Sequence, residues 1–598
     1  MSDQQKKIVP IDYTHRDYES IRRDLIGIAE RFYPDSFQDF SEGSFASLMV
    51  DAVSYVGDQL SFYLDYNVNE TFLDTAYQYN NIIRHGRIMG YKFGGRPSTY
   101  GQVALFVRVP ASSTGLGPDT NYIPILKRGT SFTSQNGLGF VLTENVDFAD
   151  PKNPVVVATV DDSTGAPTNY AIKAYGTVVS GRFGQTQIDV GTYQRFLRVK
   201  VPVDGVSEII SVVDAQGNEF YEVDYLAQDV VLKEIPNTNF KDDNVASILK
   251  PMLVSRKFVV EQNRTETFLQ FGSGKSGETD VVAEPQRVAM DIFGKDYVTS
   301  TTFDPTKLSQ NQNMGIVPSN TTLYITYRAT NLTNSNVGVG GLNAINNALT
   351  MYPNQQDLAS GTVTTIGNSI EVSNEEPIVG DVTYPNSTEL KRRIFDTFPT
   401  QNRAVTQADY ESIAYRMPAK YGSLKRCAII KDQDSLKRNL NMYVVSENSF
   451  GKLTLANSTI KNNLKTWLNQ FRMMNDTIDI LDPYIINLGI EFVAKASANV
   501  DKFALLNRCV EALAAKYKTS FFIGEPLYIS DIYSELKKVT GVLDVEKVKL
   551  TNKAGTNYAS VKININKNMS PDGSYLATPH NAILEIKFPQ DDIKGKIK

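Results

Sequence analysis

Only two cysteines occur in the 598 residues, Cys427 and Cys509, and no Cys-x-x-Cys spacing is present. A disulfide scaffold and a cysteine-rich metal site are excluded, and folding in a reducing compartment fits. Histidine is nearly as scarce. His15, His85 and His580 are far apart and form no His-x-x-x-His or His-Glu-x-x-His pattern. Histidine is the commonest general base and metal ligand, so hydrolytic and metal chemistry lose their usual carrier, while carboxylate chemistry stays open. No apolar run reaches the roughly 18–20 residues of a membrane-spanning helix. The first twelve residues carry Lys6 and Lys7 without an apolar centre, unlike a secretory signal. A dominant charge is missing too. The 61 Lys+Arg nearly balance the 66 Asp+Glu, leaving a net -5, so no global field draws nucleic acid or anionic membrane. The basic clusters Arg22-Arg23, Lys391-Arg392-Arg393 and Lys537-Lys538 are too short for a nucleic-acid stripe and read as wet helix faces.

What is present is aromatic: 31 Tyr and 29 Phe. Tyrosine suits large protein–protein contacts, where ring and hydroxyl are both used. It equally suits β-domain cores, and composition does not separate the two. Length implies three or four domains.

The periodicity predicts a multidomain α+β chain. Residues 1–100 read as an N-terminal helical bundle segment. Thr14 and Asp17 cap a helix with Tyr18, Ile21, Leu25, Ile28 and Phe32 on one stripe, ended by Pro34. A second helix from Ser44 turns Phe45, Leu48, Met49, Ala52, Val56 and Tyr63 to one face. A third starts near Thr71, turns Phe72, Ala76, Tyr79 and Ile83 inward, and stops at Gly90. Residues 101–385 read as central antiparallel β domains with long loops. Val103, Leu105, Val107 and Val109 alternate with Gln102, Ala104, Phe106 and Arg108, the period of a half-buried strand. Other strands are expected at Val155–Val160, Phe196–Val203, Phe258–Glu261, Thr267–Phe271 and Thr322–Arg328, and a polar loop at Ser300–Ser319. Residues 386–598 read as small α/β sandwiches, compatible with a ferredoxin-like order. Ser387 caps a helix stopped by Pro399. Thr406 and Asp409 start the next, and Ser530 caps a later one. Loops near Pro385 and Pro399–Asn402 separate predicted domains.

The candidate chemistry is thin. Gly272-Ser273-Gly274-Lys275-Ser276 contains Gly-Lys-Ser, but Leu269 stands where a phosphate loop needs its first glycine, and no helical stripe follows. It reads as a glycine-rich hairpin after Thr267–Phe271. Asp432 and Asp434 have no third ligand for calcium. No cofactor is expected, and no catalytic or metal residue is assigned.

Four motifs in order carry a resemblance. The first is Asp51-Ala52 through Asp58-Gln59-Leu60, then Asn69-Glu70-Thr71-Phe72-Leu73-Asp74-Thr75-Ala76, then Met89-Gly90-Tyr91. The second is Ile123-Pro124 with Arg128-Gly129-Thr130. The third is Phe271-Gly272-Ser273-Gly274, and the fourth Asn402-Arg403-Ala404-Val405-Thr406 with Asp409-Tyr410-Glu411. In these the chain resembles the baseplate J family, and within it is similar to the baseplate wedge subunit of T-even-type contractile-tailed bacteriophages. Insertion at Arg128 and Ser273 in place of the usual Asp depart from the pattern. The resemblance implies a structural, non-enzymatic part of the virion's tail baseplate, made in the host cytoplasm. It implies a homodimer within each wedge, a ring around the hub, and a relayed switch that triggers sheath contraction. Implied partners are a second copy, other baseplate wedge proteins through the N-terminal helices, and sheath-initiator and hub proteins, without nucleic acid or membrane. Dimer and inter-wedge contacts would fall in 386–598. A tail-associated cell-wall-degrading enzyme and a receptor-binding adhesin are the alternatives.

Overall fold

The computed structural model describes all residues except 1–15, 34–38, 42, 115, 238–246, 276–313, 331–334, 354, 382, 433–438, 449, 499 and 518–520. Thr14, His15, Pro34, Ser276, Asp434 and most of the 300–319 loop lie outside them. The chain is mixed α+β: a helical N-terminal segment, central antiparallel sheets, and C-terminal sheet-and-helix domains. It divides into two compact units. One holds residues 1–91 with 385–395, the other 92–384 with 396–598.

The first unit is helical. Helix α1, Tyr18–Phe32, starts where the Asp17 carboxylate accepts the Ser20 N–H. Helix α2, Phe45–Glu70, is capped by Ser44 through the Ser47 N–H. Helix α3, Tyr79–Ile88, begins later than the periodicity predicts, because residues 71–78 form a turn held from outside. Its end has the geometry expected of Gly90: φ is +85°, the Gly90 N–H donates to Arg87 O and the Tyr91 N–H to Gly86 O. These two bonds close the last turn and require the left-handed residue that glycine supplies. The first part of the helix Ser387–Thr400 completes this unit. Ile394 packs so closely on Gly86 that a Cβ there would come within 2.9 Å of it. Asn386, not Ser387, caps that helix through the Glu389 N–H. Pro399 lies inside it, in the last turn where only one backbone bond is lost. The stop is instead Gln401 and Asn402, both at positive φ, so Pro399 belongs to no loop.

The second unit contains two seven-stranded sheets. The first runs Leu342–Asn347, Ser131–Ser134, Gly139–Leu142, Pro167–Ser180, Tyr100–Pro110 and Glu371–Ser373, with Val155–Val160 beside Pro167–Ile172. Its core buries Val103, Leu105, Val107 and Val109, the predicted face. The second sheet runs Arg182–Val190, Thr321–Ala329, Val206–Asp214, Glu219–Glu222, Lys257–Gln262, Thr267–Phe271 and Arg198–Val201. The joint between them is Gly181, at φ +121°, and Arg328 is buried beside it. Arg328 Nη1 donates to Ser98 Oγ (2.9 Å) and Ser180 O (2.6 Å), and Nη2 to Glu208 Oε2 (3.2 Å). One cation thus links the connection out of the first sheet to two strands of the second.

Two α/β modules follow. In one, Asn439–Glu447 pairs antiparallel with Arg426–Lys431 and parallel with Thr477–Leu481. The helix Gln407–Tyr415 enters it through a capping box, Thr406 and Asp409 each bonding the other's backbone N–H. Thr406→Ala should cost about 1 kcal/mol in urea unfolding of this module, and Thr406→Ser should restore it. In the other, Tyr484–Ala496 pairs antiparallel with Val542–Asn552 and parallel with Ala582–Glu585 and Ile593–Ile597. Leu505, Cys509 and Leu513 of Lys502–Lys516 are fully buried against it. Ser530 does not cap its helix, which begins at Ile529 with no side-chain cap. Glu585 joins the modules, accepting the Leu453 N–H (2.8 Å) and Asn487 Nδ2 (2.8 Å). Burial raises its pKa.

Candidate partner-binding surface

Helix α2 presents two faces. Ser47, Asp51, Ser54 and Asp58 recur at three- and four-residue spacing, so they lie along one side. That side meets α1. Ser47 and Ser54 are buried, Arg22 Nε donates to Asp51 Oδ1 (2.5 Å), and a Cβ on Gly57 would sit 3.2 Å from Ile21 Cδ1. The Arg22 guanidinium holds the Asp51 carboxyl below its usual pKa. Arg16 pairs with Asp65 further along.

The opposite side is apolar and open. Phe45, Leu48, Met49, Val53, Val56, Leu60 and Tyr63 are all more than half exposed, Phe45 at 74%. The predicted stripe is therefore present but does not face α1. Small residues let α1 approach on the other side, and nothing among the described residues covers the stripe. Its spacing, Phe45, Met49, Ala52, Val56 and Tyr63, is that of a helix-packing seam. The helix is about 39 Å long at 1.5 Å per residue. Isolated exposed apolar residues are ordinary, whereas a contiguous apolar face marks an interaction site.

At the far end of α2 the motif residues build the turn into α3. Glu70 Oε1 accepts the N–H groups of Tyr77 (2.7 Å) and Gln78 (3.1 Å), and Oε2 accepts Asn81 Nδ2 (2.8 Å). The Thr75 hydroxyl donates to Asn69 O, and His85 Nε2 lies 2.8 Å from Glu70 O. Ala76 is buried beneath. The Asn81 bond, then the two backbone bonds, lower the Glu70 pKa against the opposing effect of desolvation. A depressed carboxylate stabilises above its unfolded value and loses that contribution as pH falls through the folded one. Glu70→Gln should therefore speed hydrogen exchange at the Tyr77 and Gln78 amides at pH 7. The parent chain should lose the same protection, relative to the intrinsic exchange rate, only in acid, below the ordinary glutamate pKa.

The remaining motif residues sit at other turns. Gly272 is needed for close approach: a Cβ there would lie 1.9 Å from Met314 O. The segment is not the expected hairpin. Gly274 forms a parallel bridge with Ile316, its N–H donating to Gly315 O. Ala404 is buried and its N–H donates to Phe471 O, while Arg403 and Val405 are exposed. The hydroxyl of the buried Tyr410 donates to half-buried Asp476 Oδ2 (2.7 Å), and burial and then that carboxylate raise its pKa. Asp58 is half-buried and Asn69 exposed. The glycines and Ala404 serve turns and close approaches, whereas Asp58 lies midway along α2 and Tyr410 within the helix Gln407–Tyr415. Members of the basic clusters make local contacts: Lys391 Nζ donates to Asp74 O, Lys537 pairs with Asp544, and Lys538 with Glu535.

No cluster of three or more potential metal ligands occurs among the described residues, and no described helix is long and apolar enough to cross a membrane. Residues 17–88 match the family described as bacteriophage baseplate protein, N-terminal domain. No curated protein matches the chain. Among solved structures it is similar to a chain of the anti-feeding prophage baseplate, at 9% identity and TM-score 0.24, covering 95% of this chain and 89% of that one. It is also similar to a chain of the type VI secretion TssK-TssF-TssG baseplate subcomplex, at 7% identity and TM-score 0.24, covering 73% and 96%. At such TM-scores neither likeness carries an argument. The family match spans α1, α2 and α3, and on that segment the chain reads as a baseplate protein.

Proposed function

We propose that this chain is a structural wedge subunit of a contractile-tail baseplate of the J family, without enzymatic activity. It pairs with a second copy, closes a ring around the hub, and relays the change that releases the sheath. The observation that carries this reading is a coincidence. The segment matching a baseplate N-terminal domain is the same one whose longest helix leaves its apolar face open. The occupant we assign to that face is helical, supplied by another baseplate wedge protein, because the exposed spacing is a helix-packing seam.

A closed ring needs at least two contact surfaces per chain. We assign pairing and wedge-to-wedge contacts to residues 386–598, and contacts with sheath-initiator and hub proteins to the assembled ring. The motif residues from Asn69 to Tyr91, Gly272 with Gly274, and Arg403 to Asp409 then act by fixing turns, and Asp58 and Tyr410 by packing within helices, not by chemistry. The test is co-assembly of full-length chains altered on the open face of α2 with the other baseplate proteins. Assembly unaffected by lysine on that face would contradict the reading.

A further inference from the structure

The strand Val155–Val160 lies at an edge. It pairs with Pro167–Ile172 on one side, and no strand among the described residues pairs with its other side. All six of its side chains are exposed. Its sequence, Val-Val-Val-Ala-Thr-Val, has no charge, proline or glycine. Edge strands are commonly protected by charge, proline or a bulge. Here the strand carries neither charge nor proline, only two adjacent register shifts against its partner, between Val157 and Thr159 and between Thr159 and Val160.

Charges stand just outside both ends. Asp150 and Lys152 precede the strand and Asp161-Asp162 follow it. Asp161 is engaged in the turn, accepting the Ser163 and Thr164 N–H groups. Lys152 and Asp162 are exposed.

We propose that Val155–Val160 pairs antiparallel with the same strand of a second copy, making one continuous sheet across two chains. Antiparallel self-pairing sets Lys152 of each copy at the end that carries Asp162 of the other. Parallel pairing would set like charges side by side. Centred between Val157 and Ala158, the pairing puts Val155 opposite Val160 and Val156 opposite Thr159. Such β-branched neighbours are favourable across strands. Main-chain hydrogen bonds supply the affinity, as in other strand additions, and the contact is isologous. It rests on the self-pairing proposed above but adds a surface outside residues 386–598.

The test uses the full chain. Light scattering gives its mass across concentrations, and hydrogen exchange follows the 155–160 amides over the same range. Protection at these amides should rise with mass in the parent and stay low in Val156→Lys, whose side chain is 61% exposed in the single chain. At low salt Lys152→Asp should weaken self-association about tenfold, from two reversed charge contacts per pair. Lys152→Asp with Asp162→Lys should restore it. Mass rising without protection at 155–160 overturns this surface and leaves the self-pairing reading standing. A monomer at every concentration overturns both. Protection appearing only when another baseplate protein is added assigns the strand to that protein and overturns the self-contact.

Discussion

Leu60→Lys should leave the chain folded and keep it out of the baseplate. Leu60 is 59% exposed on the open face of α2, so in the free chain lysine stays in water. Surface changes of this kind usually move stability by no more than about 0.5 kcal/mol. In an assembled helix seam the same position is dry. The leucine would bring roughly 1.5–3 kcal/mol of apolar burial, and lysine forfeits it and adds the cost of desolvating a cation. A loss near 3 kcal/mol is more than a hundredfold in affinity, repeated at every copy in a ring. Incorporation into particles, scored by quantitative blotting of purified tails, should fall at least a hundredfold while the thermal transition stays in place. A substitution on the other side should behave oppositely. Ser54→Lys, at a buried position on that side, should lower the thermal transition of the free chain.

The second large effect is on stability. Arg328→Met removes a cation with no solvent exposure that holds Ser98, Ser180 and Glu208 together at the joint between two sheets. Breaking a buried pair by removing one partner typically costs about 3–5 kcal/mol, because the remaining polar groups are left without compensation. The urea transition of the β unit should shift by that amount. Arg328→Met combined with Glu208→Leu should recover part of the loss, since both charged partners are then gone. A single variant as stable as the parent would show that the joint is held by packing alone.

Much of the local structure was legible in the sequence because local rules decide it. Thr267–Phe271 forms as a strand over its predicted span, and Thr406 with Asp409 forms the expected capping box. Gly90 ends α3 because only a left-handed residue closes those two bonds. What periodicity does not carry is the identity of the covering surface. The stripe from Phe45 to Tyr63 was visible, yet it shows only that one side of α2 is apolar. The better signal lay opposite, where Ser47, Ser54 and Gly57 let α1 approach closely and Asp51 meets Arg22. Long-range closures left no local trace. Nothing near Gly272 in sequence announces Met314, and nothing around Arg328 announces Ser98 or Ser180. The turn after α2 was misread as helix because Glu70 reaches ahead to Tyr77, Gln78 and Asn81, which no spacing rule encodes.

The most direct test of the central claim is where the chain sits in intact particles. Gold-labelled antibody against the full chain, imaged on purified tails by electron microscopy, should mark the baseplate end, ringed around the tail axis. Gold at fibre tips, along the sheath, or absent from the particle would contradict a structural baseplate subunit.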